Sequence, residues 1–313
     1  MNLVKQLAEH LRKSESEVIG FLMDAPNKYR VYKIPKRSHG HRVIAQPSKE
    51  LKEYQRAFLA IYTFPVHHMA MAYSEGKGIR ENALSHVRNN YLLKTDFENF
   101  FNSITPAIFW QNVDSCTADT PKFTDQEKIL VEKLIFWCPS KTKFGKLVLS
   151  VGAPTSPSIS NFCLYEFDRF MTNICNDQKI TYTRYADDLT FSTNEKNILH
   201  TIVPSIQQLL VEYFSYNLKL NHSKTAFSSR AHNRHVTGIT LSNERKLSLG
   251  RERKRYIKHL INQFKYNQLD SSDIRHLQGL LAFAQHIEPA FITRLKIKYT
   301  SELIQRICEA SHD

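Results

Sequence analysis

Two adjacent aspartates, Asp187 and Asp188 in Tyr185-Ala186-Asp187-Asp188, are the clearest chemical signal in the chain. They fall between ITYTR and LTFS, two short β-prone runs, which places them at a tight turn. Adjacent carboxylates there are costly unless water or cations neutralise them. Carboxylate oxygens are hard ligands and suit Mg2+. A plain polar hairpin tip would use the same residues, because aspartate is common in turns. A second carboxylate shifts the balance. Asp96 ends the apolar run YLLKTD and is followed by Phe97-Glu98-Asn99-Phe100-Phe101. Strand, acid, aromatic and helix start form a layout for phosphoryl transfer. Asp96 and Asp187 on neighbouring strands would hold two cations about 3.5–4 Å apart, one activating a hydroxyl, the other stabilising a leaving pyrophosphate. Val151-Gly152-Ala153-Pro154-Thr155-Ser156-Pro157 adds a glycine turn whose free N–H groups can approach a nucleotide or template backbone. The same residues also suit an ordinary capped strand-to-helix turn.

These groups need elements to hold them. Leu3, Leu7 and Leu11 recur at helical spacing, and Ser14-x-x-Glu17 is a capping box, so residues 1–23 read as two helices. Residues 29–46 read as a hairpin turning at Ser38-His39-Gly40, and 48–64 as a helix capped by Ser48. Helices are expected at 82–89, 125–137 and 198–214, strands at 91–97 and 146–151, and two short strands around a tight turn at 180–192. One long helix is expected from Ser156, two short strands at 235–249, and three closing helices at 250–265, 272–286 and 289–309. This order gives an α+β centre with a helical appendage.

The chain has 313 residues, 43 Lys+Arg against 30 Asp+Glu, and a net charge of +13. A chain this long buries a sizeable core without staples. No apolar run reaches the ~18–20 residues of a membrane span, and the N-terminus lacks a secretory pattern. Five cysteines without a C-x-x-C pair disfavour disulfides and structural zinc and point to the cytoplasm. His39/His41 and His67/His68 lack zinc-spaced company and read as polar loop histidines. Basic clusters at 28–42, 141–146 and 251–258 are interleaved with aromatics, which suits a groove for a polyanion, although each run would also serve as a solvated face.

The ordered set Asp96-Phe97-x-x-Phe100-Phe101, Gly152-Ala153-Pro154-Thr155-Ser156-Pro157 and Tyr185-Ala186-Asp187-Asp188 resembles bacterial reverse transcriptases. Arg42-x-Ile44-x-x-Pro47-x-x-x-Leu51-Lys52-x-x-Gln55-Arg56 looks like their finger region. Asn82-Ala83-Leu84-Ser85-His86 and Val236-Thr237-Gly238 match the N-A-x-x-H and V-T-G signatures of the retron group. The resemblance covers about residues 29 to 285.

It implies a right-hand polymerase with fingers, an RRM-like antiparallel palm sheet and a helical thumb. The expected division is an N-terminal helical segment (1–28), fingers and palm (29–235), and palm–thumb junction with thumb (236–313). By resemblance Asp96, Asp187 and Asp188 are the catalytic, metal-binding triad for two Mg2+ ions, with Mn2+ as an alternative, and the Phe97 carbonyl faces the metal. Arg42, with Lys36 or Arg37, would hold the triphosphate. Phe101 would crowd the sugar 2′ position, though a core phenylalanine fits there too. Gly152 would line the pocket, and Lys224 is placed as a proton donor to pyrophosphate. Asn82 and His86 share a helix face and would grip RNA, or be a helix cap and a buried histidine. Val236, Thr237 and Gly238 mark the palm–thumb junction and a further RNA contact. Arg251, Arg253, Lys254, Arg255 and Lys258 would face a duplex or stem-loop through shape and phosphates. One departure stands out: the usual Leu-Pro-Gln-Gly reads Leu149-Ser150-Val151-Gly152, so Val151 replaces a glutamine that contacts nucleotide.

The implied activity is an RNA-directed DNA polymerase that takes dNTPs and copies part of a structured non-coding RNA. Priming would be from an internal guanosine 2′-hydroxyl, giving branched RNA–DNA. A retron effector protein, host RNase H for template removal, and a role in anti-phage defence are implied as well. An RNA- and DNA-binding scaffold that restrains a toxic effector is the alternative, disfavoured by the intact triad. Another class of bacterial reverse transcriptase is disfavoured by the two retron signatures.

Overall fold

The computed structural model describes residues 2–35, 40–116, 119–142, 144–214 and 217–310. Asn2 caps α1 (Leu3–Leu11) by accepting from the N–H groups of Val4 and Lys5, and the buried Glu127 carboxylate accepts from Leu3 N at 2.7 Å. The expected capping box opens α2 (Glu15–Met23), with Ser14 and Glu17 serving each other's backbone. The hairpin forms as β1 (Tyr29–Pro35) and β2 (His41–Pro47), antiparallel from Tyr29–Pro47 to Pro35–His41. Lys36, Arg37 and the Ser38-His39 part of its turn lie outside the described residues, as does Lys143. Ser48 caps α3 (Lys49–Ile61), followed by α4 (Ile79–His86).

The central sheet begins with β3 (Tyr91–Asp96). Three helices follow: α5 (Phe100–Ser103), α6 (Pro106–Ser115) and α7 (Asp125–Ile135). The expected strand at 146–151 is not formed. Val148 makes one bridge to Trp137, Leu149 N donates to Ile104 O, and Val151 O accepts from Ala45 N. These contacts go to three different segments, so the stretch laces the hairpin to the core instead of laddering. The single long helix after Ser156 is two, α8 (Ser156–Cys163) and α9 (Tyr165–Asp177), broken at Leu164 (φ −103°, ψ 9°).

β4 (Thr181–Tyr185) and β5 (Asp188–Thr193) form the tight hairpin. After α10 (Ile202–Phe214), β6 (Ala226–Ser229) completes an antiparallel sheet of order β4-β5-β3-β6. Residues 234–248 give three strands, not two: β7 (Arg234–Val236), β8 (Ile239–Leu241) and β9 (Leu247–Ser248). HVTGITL is itself a hairpin, because Thr237 (φ 46°) and Gly238 (φ 79°) both turn left-handed. The closing region has four helices: α11 (Arg251–Lys265), α12 (Ser271–Ile287), α13 (Pro289–Tyr299) and α14 (Ser301–Glu309). Thr300 at φ 74° splits the expected last helix and caps α14 through its side chain.

Two hydrophobic clusters flank the sheet. Leu93 of β3 points into one with α1, α3, α7, α9 and α10, and its neighbour Leu92 into the other with α4, β8 and the four closing helices. Period-2 alternation along one strand therefore assigns it to both cores. The result is a palm-like antiparallel sheet with a β-hairpin finger at one side and a helical thumb at the other.

Candidate active site

The β3–β5 register sets Asp96 directly opposite Asp188. Ala186 at φ 56° makes the β4–β5 turn, so Asp187 sits in the turn and Asp188 begins β5. Backbone bonds fix this end of the sheet: Phe97 N to Asp187 O at 3.1 Å, Asn221 N to Asp96 O at 2.8 Å and Glu98 N to Lys219 O at 2.8 Å. The Asp96 side chain is buried. Its Oδ2 accepts from Lys224 Nζ, and its Oδ1 has no partner among the described residues. Burial raises the Asp96 carboxyl above the usual range, against the pull of Lys224, with Asp187 and Glu98 adding to the rise. Asp188 reaches solvent yet is pushed up to about 6, first by the protein packed around it, then by the charges of Asp187 and Asp96. Lys224 is raised by its hydrogen bond to Asp96. Among the described residues no three His, Cys, Asp or Glu side chains converge as a ready-made metal cluster. The donors still fit a divalent cation, because a buried carboxylate oxygen lacks a partner and the set is made of hard oxygens.

A buried network holds up the turn. Arg184, fully enclosed, meets Asp168 through Nε at 2.9 Å and Nη2 at 2.6 Å, and donates from Nη1 to Asn161 Oδ1 at 3.0 Å and to Ala186 O at 3.1 Å. Tyr182 OH donates to Asp168 at 2.7 Å, and Asn161 Nδ2 to Ala72 O at 2.8 Å. Arg184 thus grips the carbonyl just before Asp187. The sequence reading missed this group, although a charged residue inside the apolar alternation of ITYTR was a visible signal for it.

Beside the carboxylates lies a cleft of about 460 Å3, lined by Lys52, Arg56, Tyr73, Phe101, Val151 and Gly152 among others. Gly152 has φ 128°, a conformation that L side chains rarely adopt, so glycine is needed there; a Cβ would come into contact with Ala45 O and Ile44 Cγ2 at 3.4 Å. Phe101 is a wall residue of the cleft and Val151 stands where glutamine was expected. Arg42 is exposed on β2 and does not line the cleft, although its charge opposes the burial and the Asp187 charge that raise the Tyr73 hydroxyl. Lys52 and Arg56, one turn apart on α3, supply the lining cations instead. They were visible in the finger motif but were not singled out.

Several residues expected to touch RNA lie in the interior. Asn82, His86 and Val236 are buried. His86 bonds Ser192 Oγ and Thr183 Oγ1, both at 2.7 Å, and Thr183 donates to Asn82 Oδ1 at 2.6 Å. Burial drives the imidazole down to about 3, so it is neutral. Thr237 Oγ1 donates to Ile79 O at 3.2 Å. These residues pin α4 to the sheet and to the β7–β8 turn, leaving Gly238 exposed at its tip. On α11, Lys254 is taken by Glu288 (2.8 Å) and Ser248 (3.0 Å). Arg253 lies over Phe283, and Lys258 is half-buried over Phe291. Arg251 and Arg255 face solvent on the same side as Tyr256 and His259.

A four-stranded antiparallel sheet with paired carboxylates at one end, a basic cleft beside them and a helical thumb defines a template-directed polymerase. A family model described as reverse transcriptase (RNA-dependent DNA polymerase) matches residues 34–241. The Escherichia coli Retron Ec83 reverse transcriptase is 48% identical over 281 residues, covering 89% of each chain. The Myxococcus xanthus Retron Mx65 reverse transcriptase is 30% identical over 279 residues, covering 85% of this chain and 63% of that one. Telomerase from Candida tropicalis with a fragment of telomeric RNA overlays with TM-score 0.49 at 14% identity, covering 90% of this chain and 59% of that one. The chain belongs to the reverse transcriptases, and within them to the bacterial retron group. It is an RNA-directed DNA polymerase and takes an RNA template. No described helix is long and apolar enough to cross a membrane.

Proposed function

We propose that the chain copies part of a structured retron RNA into DNA, starting from an internal guanosine 2′-hydroxyl and giving a branched RNA–DNA product. The observation that carries the chemistry is the register placing Asp96 opposite Asp188, with Asp187 in the adjoining turn. Two divalent cations, Mg2+ or Mn2+, held by these carboxylates and the Phe97 carbonyl would supply Lewis acidity at the attacking hydroxyl and the leaving pyrophosphate. Lys52 and Arg56 neutralise the triphosphate of the incoming dNTP, with Arg42 contributing from the finger hairpin. Phe101 closes the cleft against a 2′-hydroxyl. Lys224 neutralises Asp96 and stands ready to protonate pyrophosphate as it leaves. Gly238, Arg251 and Arg255 offer exposed contacts to RNA phosphates. The relatives named for retrons support the RNA substrate. The same likeness underlies the expectation of a partner effector and of anti-phage defence.

The test is dNTP incorporation on poly(rA) primed with oligo(dT). Wild type should extend with Mg2+ and stop with EDTA, and Asp187→Asn should lose extension by at least a hundredfold while still binding RNA. Extension by Asp187→Asn at the wild-type rate would overturn the assignment.

A further inference from the structure

A second cleft, of about 210 Å3, opens at the other end of the sheet. It is lined by Tyr91, Glu195, Asn197, His200, Phe227 and His232, among others. Tyr91 begins β3 and Asp96 ends it, so the cleft lies about 17 Å from the carboxylates at ~3.3 Å per residue. β6 is an edge strand of the sheet, and its Phe227 is 45% exposed, which leaves an aromatic face open at this end. The His200 ring lies against Phe227 with centroids 4.5 Å apart and planes 29° from parallel. Flat faces are therefore presented together with the hydrogen-bonding ends of Asn197, Glu195 and His232.

The rim is basic. Lys196 and Arg230 are exposed and adjoin lining residues in sequence. The Arg230 guanidinium reaches Asn243 O at 2.5 Å, which brings the loop with Arg245 and the Glu244–Lys246 ion pair (3.7 Å) to this side. The volume is below the ~300–1,000 Å3 of drug-sized sites and suits one planar heterocycle. Aromatic faces, polar edges and surrounding cations are the combination that holds an unpaired base on a charged backbone.

We propose that this cleft takes an unpaired nucleobase of a single strand and anchors that strand away from the catalytic end. The inference rests on the reading of the chain as a nucleic-acid polymerase, and its test separates the two. Matched short RNA and DNA single strands carrying 5-iodouracil would be photocrosslinked to the full chain and the attached peptides mapped. Attachment at Phe227, Tyr91 or His200 is expected, with the RNA and DNA arms telling which strand is held. Phe227→Ala, and His200→Ala as a second variant, should weaken single-strand binding about tenfold. Both should leave oligo(dT)-primed extension on poly(rA) within twofold of wild type. Attachment confined to the Phe101 cleft and α11, with unchanged affinity in both variants, would overturn the proposal. Absence of extension in wild type would instead overturn the polymerase reading.

Discussion

The Asp96 carboxylate has one oxygen on Lys224 and the other buried without a partner among the described residues. Leaving a buried charged oxygen unmatched is costly, so this site favours a cation that satisfies it. Replacing Lys224 by Met should lower kcat with little change in RNA affinity, measured by steady-state extension and filter binding. Loss of RNA binding would show a role outside the carboxylate site. His86 makes a different prediction. Its folded value of about 3 lies below the ~6.5 of an unfolded histidine, so the unfolded chain binds more protons between those values. Its contribution is complete above about pH 6.5 and falls as pH drops towards 3, by up to ~1.4 kcal/mol per pH unit. His67, lowered to about 4 by burial, acts in the same direction. Urea unfolding at pH 7 and pH 5 should show lower stability at pH 5, with a smaller difference in His86→Gln.

At the scale of elements, the β4–β5 hairpin aims the aspartates, and the Arg184–Asp168 pair beneath it fixes its turn. Breaking a buried pair by removing one partner costs about 3–5 kcal/mol. Asp168→Asn should therefore lower stability by that order in denaturant unfolding. Asn161→Ala removes one hydrogen bond to Arg184 and one to Ala72, so it should leave a folded chain with reduced kcat and unchanged RNA affinity. On α11 the proposed RNA contacts are the exposed Arg251 and Arg255. The double change Arg251→Ala/Arg255→Ala should flatten the dependence of log affinity on log salt by about 2, one per phosphate contact. Lys254→Ala should instead loosen the Glu288 joint and appear as lost stability.

Across the whole molecule, the excess of positive charge fits a polymerase that handles a polyanion along several faces. Much of this was legible in sequence because it depends on neighbours in the chain. Leu3, Leu7 and Leu11 gave a helix, Ser14 and Glu17 its successor's start, and alternation around Ala186 the hairpin that carries Asp187 and Asp188. The breaks at Leu164 and Thr300 were not legible, since neither residue is a usual helix breaker and tertiary packing sets their dihedrals. Nor was the burial of Asn82 and His86, because a helix face shows which residues stand together but not what covers them. Asp96 and Asp187 were expected to meet on neighbouring strands, whereas the register sets Asp96 opposite Asp188 with Asp187 in the turn, and this register, like the support from Arg184, needed the third dimension.

The most direct measurement expresses this gene with its native flanking DNA, purifies the protein, and resolves its bound nucleic acid on a denaturing gel. Wild type is compared with Asp187→Asn/Asp188→Asn, with DNase, RNase and debranching treatments. The account predicts a small DNase-sensitive species joined to RNA, shifted by debranching, and present only in wild type. Bound RNA without attached DNA in wild type, or the same DNA species in the double variant, would contradict it.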